Sequence, residues 1–135
     1  MNYSAGTDML LKRLNNNPPL IWEESETGIQ FEATEVEVYD ALFSLNKCFQ
    51  VNGCATLENF LYDVGVHTDI INQTEASSCG WSFECYAGYD APIIEMNVAY
   101  RIDGDKVIFI IDWERMPCAG VLDCMGYKDE CDMAV

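Results

Sequence analysis

Cysteine is the residue type in this chain best equipped for chemistry. Cys48, Cys54, Cys79, Cys85, Cys118, Cys124 and Cys131 give seven thiols in 135 residues. The pairs 48/54, 79/85 and 118/124 share the spacing C-x5-C. A structural zinc site usually closes with about two to four residues between paired ligands, because both sulfurs must reach one ion about 2.3 Å away. The spacing here does not fit, and His67 is the single histidine. The cysteine count is odd, and Met1 to Leu14 lacks the basic start and apolar run of a signal peptide. Reduced thiols, most of them buried as small hydrophobes, are therefore expected. A Cys–His nucleophile pair could use only His67, and nothing in the sequence singles out its cysteine.

Carboxylates are the second candidate set. Asp103 and Asp105 flank Gly104, where turn formation already explains both. The Asp-x-Asp-x-Asp-Gly order of a calcium loop is absent, as are G-x-S-x-G, P-loop and His-Glu-x-x-His patterns. The sequence predicts no catalytic residues, no cofactor and no metal.

The charge balance says more. Asp and Glu number 23 against 7 Lys and Arg, a formal net charge of −16, yet half of the residues are hydrophobic. Disordered acidic tails combine high charge with too few apolar groups to bury. Here the apolar groups are present, and a chain of this length can bury about 68% of its unfolded surface. The reading is a folded domain with a strongly negative coat, which repels nucleic acid and anionic membrane and attracts basic protein surfaces. Its longest apolar run, Val107 to Ile111, is far short of the ~20 residues of a membrane span. A cytoplasmic protein is expected.

The elements that would position these groups can be read from spacing. Thr7 to Leu14 is a short helix, stopped by Asn15-Asn16-Asn17-Pro18-Pro19, that lies on the body or forms a mobile arm. Leu20-Ile21-Trp22 is an edge strand or an anchor leading into Glu23, Glu24 and Glu26. A central helix runs from about Thr34 to Val51, with Glu32, Glu35 and Glu37 at its start, Lys47 near its end and Gly53 as its stop. Val38, Leu42, Leu45 and Phe49 form its core stripe. Val36, Tyr39 and Phe43 form a second stripe, buried between two layers or else exposed to a partner. A shorter helix starts at the N-cap Thr56, buries Leu57, Phe60, Leu61 and Val64, and ends at Gly65 with Val66 packing back. From Gly80 the period becomes two: Trp81 to Cys85, Ile94 to Ile102 and Val107 to Trp113 are strands, the last two joined by a type I′ turn at Asp103-Gly104. The expected fold is α+β: a central amphipathic helix and shorter helices on one face of a three-stranded antiparallel meander. It forms a single domain over residues 1–117 (1–19 being the arm), followed by an acidic, cysteine-containing tail over 118–135.

Leu45-Asn46, Asn52-Gly53, Thr56-Leu57-Glu58-Asn59-Phe60, Gly65 and Gly80-Trp81-Ser82 together resemble small proteins of unknown function from phages and prophages of Gram-positive bacteria. In these a TL-x-x-F helix is followed by a GW strand that opens a hairpin. The resemblance spans roughly residues 36 to 113 and departs at Ala91-Pro92-Ile93-Ile94, where the family has a Trp-Ile-Asp-Phe-like strand. It implies a phage or mobile-element origin and an α+β fold, and it transfers no catalytic residues. By analogy it favours one reading of the acidic coat, in which carboxylates mimic a phosphate backbone. They would occupy the basic groove of a nucleic-acid-binding host protein, as an anti-CRISPR or similar inhibitor does. The partner-facing carboxylates are then Glu23, Glu24, Glu26, Glu37, Asp40, Asp129, Glu130 and Asp132. The helix and the cluster preceding it are the first choice of face, and none of Glu24, Glu37 and Asp40 is expected to be buried. Two alternatives stay open: a coat that only solubilises, and a virion assembly accessory that self-associates through Val36, Tyr39 and Phe43.

Overall fold

The computed structural model describes residues 17–86 and 92–119. The helix expected over Thr7 to Leu14 and the tail beyond Ala119 lie outside the described residues. The elements run β1 (Pro19–Glu24), β2 (Gln30–Thr34), α1 (Glu35–Asn52), β3 (Cys54–Thr56), α2 (Leu57–Asp63), α3 (Thr68–Ile71), β4 (Cys79–Ser82), a 3-10 turn (Phe83–Tyr86), β5 (Met96–Asp103), β6 (Lys106–Trp113) and β7 (Cys118–Ala119). The α+β class is as expected, but the sheet topology is not.

Four strands form one sheet in the order β2-β1-β6-β5, and three form another in the order β3-β4-β7. Leu20-Ile21-Trp22 is therefore an inner strand rather than an edge: β1 pairs antiparallel with β2 and parallel with β6, Ile21 opposite Ile108 and Trp22 opposite Phe109. A parallel partner so distant in sequence leaves no local turn signal. Period-two alternation sends Leu20, Trp22 and Glu24 of β1 inward beside Phe109, Ile111 and Trp113 of β6.

The β5–β6 hairpin forms as the alternation requires, with Asp103 opposite Lys106. Its two-residue loop is Gly104-Asp105, and Gly104 alone takes positive φ, at 67°. That matches a type II′ turn, not the type I′ turn expected from Asp103-Gly104. The third strand of the expected meander is absent from this sheet, because β4 ends at Ser82 and Phe83 begins a 3-10 turn. Trp81 instead pairs with Ala55 in the smaller sheet. Gly80 lies so close to β3 that a Cβ built on it would stand 2.1 Å from the Ala55 carbonyl oxygen.

Helix α1 is held at both ends. The Thr34 hydroxyl accepts from Glu37 N–H at 3.1 Å while the Glu37 carboxylate accepts from Thr34 N–H at 2.8 Å. Gly53 closes the other end at φ 78°, its N–H on the Phe49 carbonyl. Glu32 belongs to β2 rather than to the helix start, and Lys47 falls short of the last turn. In α2, Asn59 Oδ1 accepts from both the backbone N–H and the hydroxyl of Thr56. Gly65, at φ 96°, lets Val66 N–H reach the Leu61 carbonyl.

The inner face of the large sheet, α1, α2 and the small sheet share one apolar cluster. Trp113 is its hub, with Phe60 edge-on at 5.0 Å and Trp81 at 4.9 Å between ring centroids. Each fully buried large apolar side chain contributes roughly 1.5–3 kcal/mol. Helix α1 buries Val38, Ala41, Leu45, Cys48 and Phe49. Its second stripe is not wedged between layers: Val36, Tyr39 and Phe43 are 53%, 45% and 73% exposed. Replacing Gly80 with Ala should lower stability by about 3 kcal/mol, because backbone lies where the methyl must go. Urea unfolding monitored by tryptophan fluorescence reads it, and an unchanged midpoint would show that β3 and β4 are not so closely apposed.

Candidate functional site

The acidic residues chosen from sequence separate into distinct roles. Glu24 is fully buried, which corrects the expectation that it faces solvent. One carboxylate oxygen accepts from Glu26 N–H at 2.8 Å and from the Trp113 indole at 2.7 Å. The other accepts from Thr27 N–H at 2.8 Å and the Thr27 hydroxyl at 2.7 Å. A carboxylate has about four lone-pair sites, and here four donors fill them. The Glu24 backbone joins in, its N–H on the Ile29 carbonyl and its carbonyl on Gly28 N–H, so the whole β1–β2 turn is wound around this residue. Glu24 is a structural anchor and presents no charge to a partner.

Glu23 points to the opposite face of the sheet, where Arg101 of β5 donates to both its oxygens at 3.0 and 2.8 Å and Gln30 adds a third bond. The hydrogen bonds from Arg101, then from Gln30, hold its carboxyl down to about 2. Glu26 is exposed and lines a groove of about 460 Å³ and mixed polarity with Thr27, Leu57, Glu75, Cys79 and Pro117. Glu37 caps α1 yet stays exposed, and Asp40 is exposed on the same helix. The strand therefore separates what the sequence grouped: only Glu37 and Asp40 share the α1 surface, with the sheet between them and Glu23. Asp129, Glu130 and Asp132 lie outside the described residues.

Among the described thiols, Cys79 sits in a setting that opposes nucleophilic chemistry. Burial pushes the Cys79 thiol up, and the carboxylates of Glu26, Glu24 and Glu75 push it further. Cys79 and Cys118 cannot face each other, because Cys79 is opposite Ala119 and Gly80 is opposite Cys118. Cys48 and Cys54 are buried. His67 caps α3, its Nδ1 accepting from Asp69 N–H at 3.1 Å. Among the described residues no three His, Cys, Asp or Glu side chains come together as a metal cage.

A second concavity was missed in the sequence. It is an open apolar groove of about 480 Å³ lined by Tyr39, Leu42, Phe43, Asn46, Lys47, Gln50 and Ile93. Its far wall, residues 92–95, is strapped to α1 by polar side chains. Asn46 donates to the Ile94 carbonyl at 2.8 Å and accepts from Ile94 N–H at 2.7 Å, and Gln50 donates to the Pro92 carbonyl at 2.6 Å. The available signal was the second stripe; the wall partner, forty-odd residues downstream, had none. Comparison with protein-family models, with curated proteins and with solved structures finds no match for this chain. No helix among the described residues is long and apolar enough to cross a membrane.

Glu24→Gln must point an amide N–H at groups that already donate, and should lower stability by about 3 kcal/mol. Glu26→Gln, on the surface, should stay within about 0.5 kcal/mol. Equal urea midpoints for the two variants would contradict the buried role of Glu24. The Glu23–Arg101 pair contributes stability above the ordinary glutamate range near pH 4.3, and loses it as pH falls through about 2. Both groups are partly exposed, so the amplitude is small. Arg101→Ala should lower the urea midpoint slightly at pH 6, with the gap to the parent closing by pH 2; a gap that is constant with pH would contradict the pairing.

Proposed function

We propose that this chain is a non-enzymatic acidic binding protein that docks on a basic protein surface. In this reading it is a phage-encoded nucleic-acid mimic that inhibits a nucleic-acid-binding host defence protein, in the manner of an anti-CRISPR. The observation that carries the docking is the outer face of α1. There the apolar stripe Val36, Tyr39 and Phe43 stands exposed beside the exposed carboxylates Glu37 and Asp40, in a chain of net charge −16. Large exposed apolar groups rimmed by polar ones mark interaction sites. The same carboxylates oppose the lysines and arginines that a nucleic-acid-binding groove uses for phosphates. The resemblance to small phage proteins supports the choice of partner class, and the tail carboxylates Asp129, Glu130 and Asp132 belong to the same proposal.

The exposed stripe also favours a second reading, a self-associating assembly accessory, although like charges on two copies oppose it. Immobilised protein incubated with a Gram-positive host lysate at about 50 mM salt should retain a nucleic-acid-binding protein. Competing duplex DNA should release it by occupying the same basic groove, and about 0.5 M salt by shortening the screening length to about 4 Å from more than about 10 Å at 50 mM. Asp40→Lys, which disturbs no cap or buried bond, should reduce retention mainly through a slower on-rate. Retention that is indifferent to DNA, salt and Asp40→Lys would overturn the mimic. An oligomer that persists in high salt during sedimentation would support the accessory.

A further inference from the structure

We infer that the groove between α1 and residues 92–95 receives the apolar face of a basic amphipathic helix from the partner protein. Binding then rests on an anchored helix as well as on charge. The inference rests on the docking reading above and adds the form of the partner. Tyr39, Phe43, Lys47 and Gln50 line the groove along one side of α1. Gln50 lies eleven helical steps after Tyr39, a run of about 16 Å, close to three helical turns. A groove of about 480 Å³ of mostly apolar lining has room for two or three aliphatic or aromatic side chains.

The wall decides between a helix and a strand as occupant. An extended peptide would add to residues 92–95 through backbone hydrogen bonds. Asn46 already takes both the N–H and the carbonyl of Ile94, Gln50 takes the Pro92 carbonyl, and proline has no N–H to offer. The lining that the groove presents is almost wholly apolar side chain, the surface that a helix reads with anchors at i, i+3, i+4 and i+7. The straps also fix the wall before binding, which reduces the ordering cost of association. Charge sets the other face of the ligand. Asp40 is exposed on α1 beside Tyr39, and Glu95 is exposed two residues after Ile93, while Lys47 is the one charged side chain in the lining. Lysines or arginines flanking the anchors complement that rim. A second copy of this chain would bring another −16 charges to the same place.

Two synthetic peptides of equal positive charge separate anchoring from charge. One carries leucines at i, i+3, i+4 and i+7 with lysines between them; the other has serine in place of each leucine. Titrated at about 100 mM salt into the full-length, nitrogen-15-labelled protein, the leucine peptide should bind at least tenfold more tightly. Its shifts should centre on Tyr39, Phe43, Lys47 and Ile93. Phe43→Ser, at a site 73% exposed in the free protein, should keep the parent melting temperature and remove that tenfold advantage. It should leave the serine peptide unaffected. Equal, salt-sensitive affinity for both peptides would overturn the anchored helix while leaving charge-driven docking in place, and no binding of either would overturn both. Shifts centred on the outer sheet face around Glu23 and Arg101 would overturn it too. So would a dimer of the free protein that Phe43→Ser dissociates, since the occupant would then be a second copy.

Discussion

The architecture depends on one buried carboxylate. Glu24 sits at the inner end of β1, where withdrawing a negative charge from water is costly unless every lone pair is satisfied. Its four donors come from two places: the turn that joins β1 to β2, and the indole of Trp113 at the end of β6. The first set shapes the turn, with Gly28 supplying the positive φ of 73° that lets the chain reverse. The second fixes the parallel neighbours β1 and β6 at the end where Trp113 also meets Phe60 of α2 and Trp81 of β4. One side chain thus joins a turn, the central strand pair and the junction with the smaller sheet.

That constraint sorts the acidity of the chain. Glu24 is consumed by the fold, Glu23 is matched by Arg101 on the outer sheet face, and Glu37 both caps α1 and remains at its surface. Asp40 makes no such structural bond among those described and stands beside Tyr39 and Phe43. The acidic composition therefore does not translate into one uniform negative surface. Among the described residues, the outer side of α1 combines available carboxylate with the most exposed aromatic side chain, Phe43, and the proposed docking rests on that combination rather than on net charge alone.

Local signals were legible and non-local ones were not. The start of α1 near Thr34, the Thr56 N-cap, the Gly53 and Gly65 ends and the β5–β6 hairpin could be read because each depends on residues a few positions apart. Leu20-Ile21-Trp22 reads as an edge strand or an anchor, whereas it is an inner strand, because its parallel neighbour is supplied by β6, far along the chain. Trp81 and Phe83 alternate as a strand would, yet only as far as Ser82, because close contact with Ala55 places β4 in a different sheet. Glu24 looked like its neighbours Glu23 and Glu26; period two assigns it inward, but a run of acidic residues conceals that assignment. For the site, the stripe on α1 was visible and its wall at residues 92–95 was not, since Asn46 and Gln50 give no sequence hint of which backbone they will hold.

Amide hydrogen exchange at Glu26 and Thr27 tests the central claim most directly. Both residues lie in a surface turn, where amides ordinarily exchange quickly. If the buried Glu24 carboxylate organises this region, these two amides are protected to the level of the β1 and β6 strands, far above those in the Gly104-Asp105 hairpin turn. Exchange as fast as in that hairpin turn would mean that Glu24 does not hold the turn, and that the fold is organised around something else.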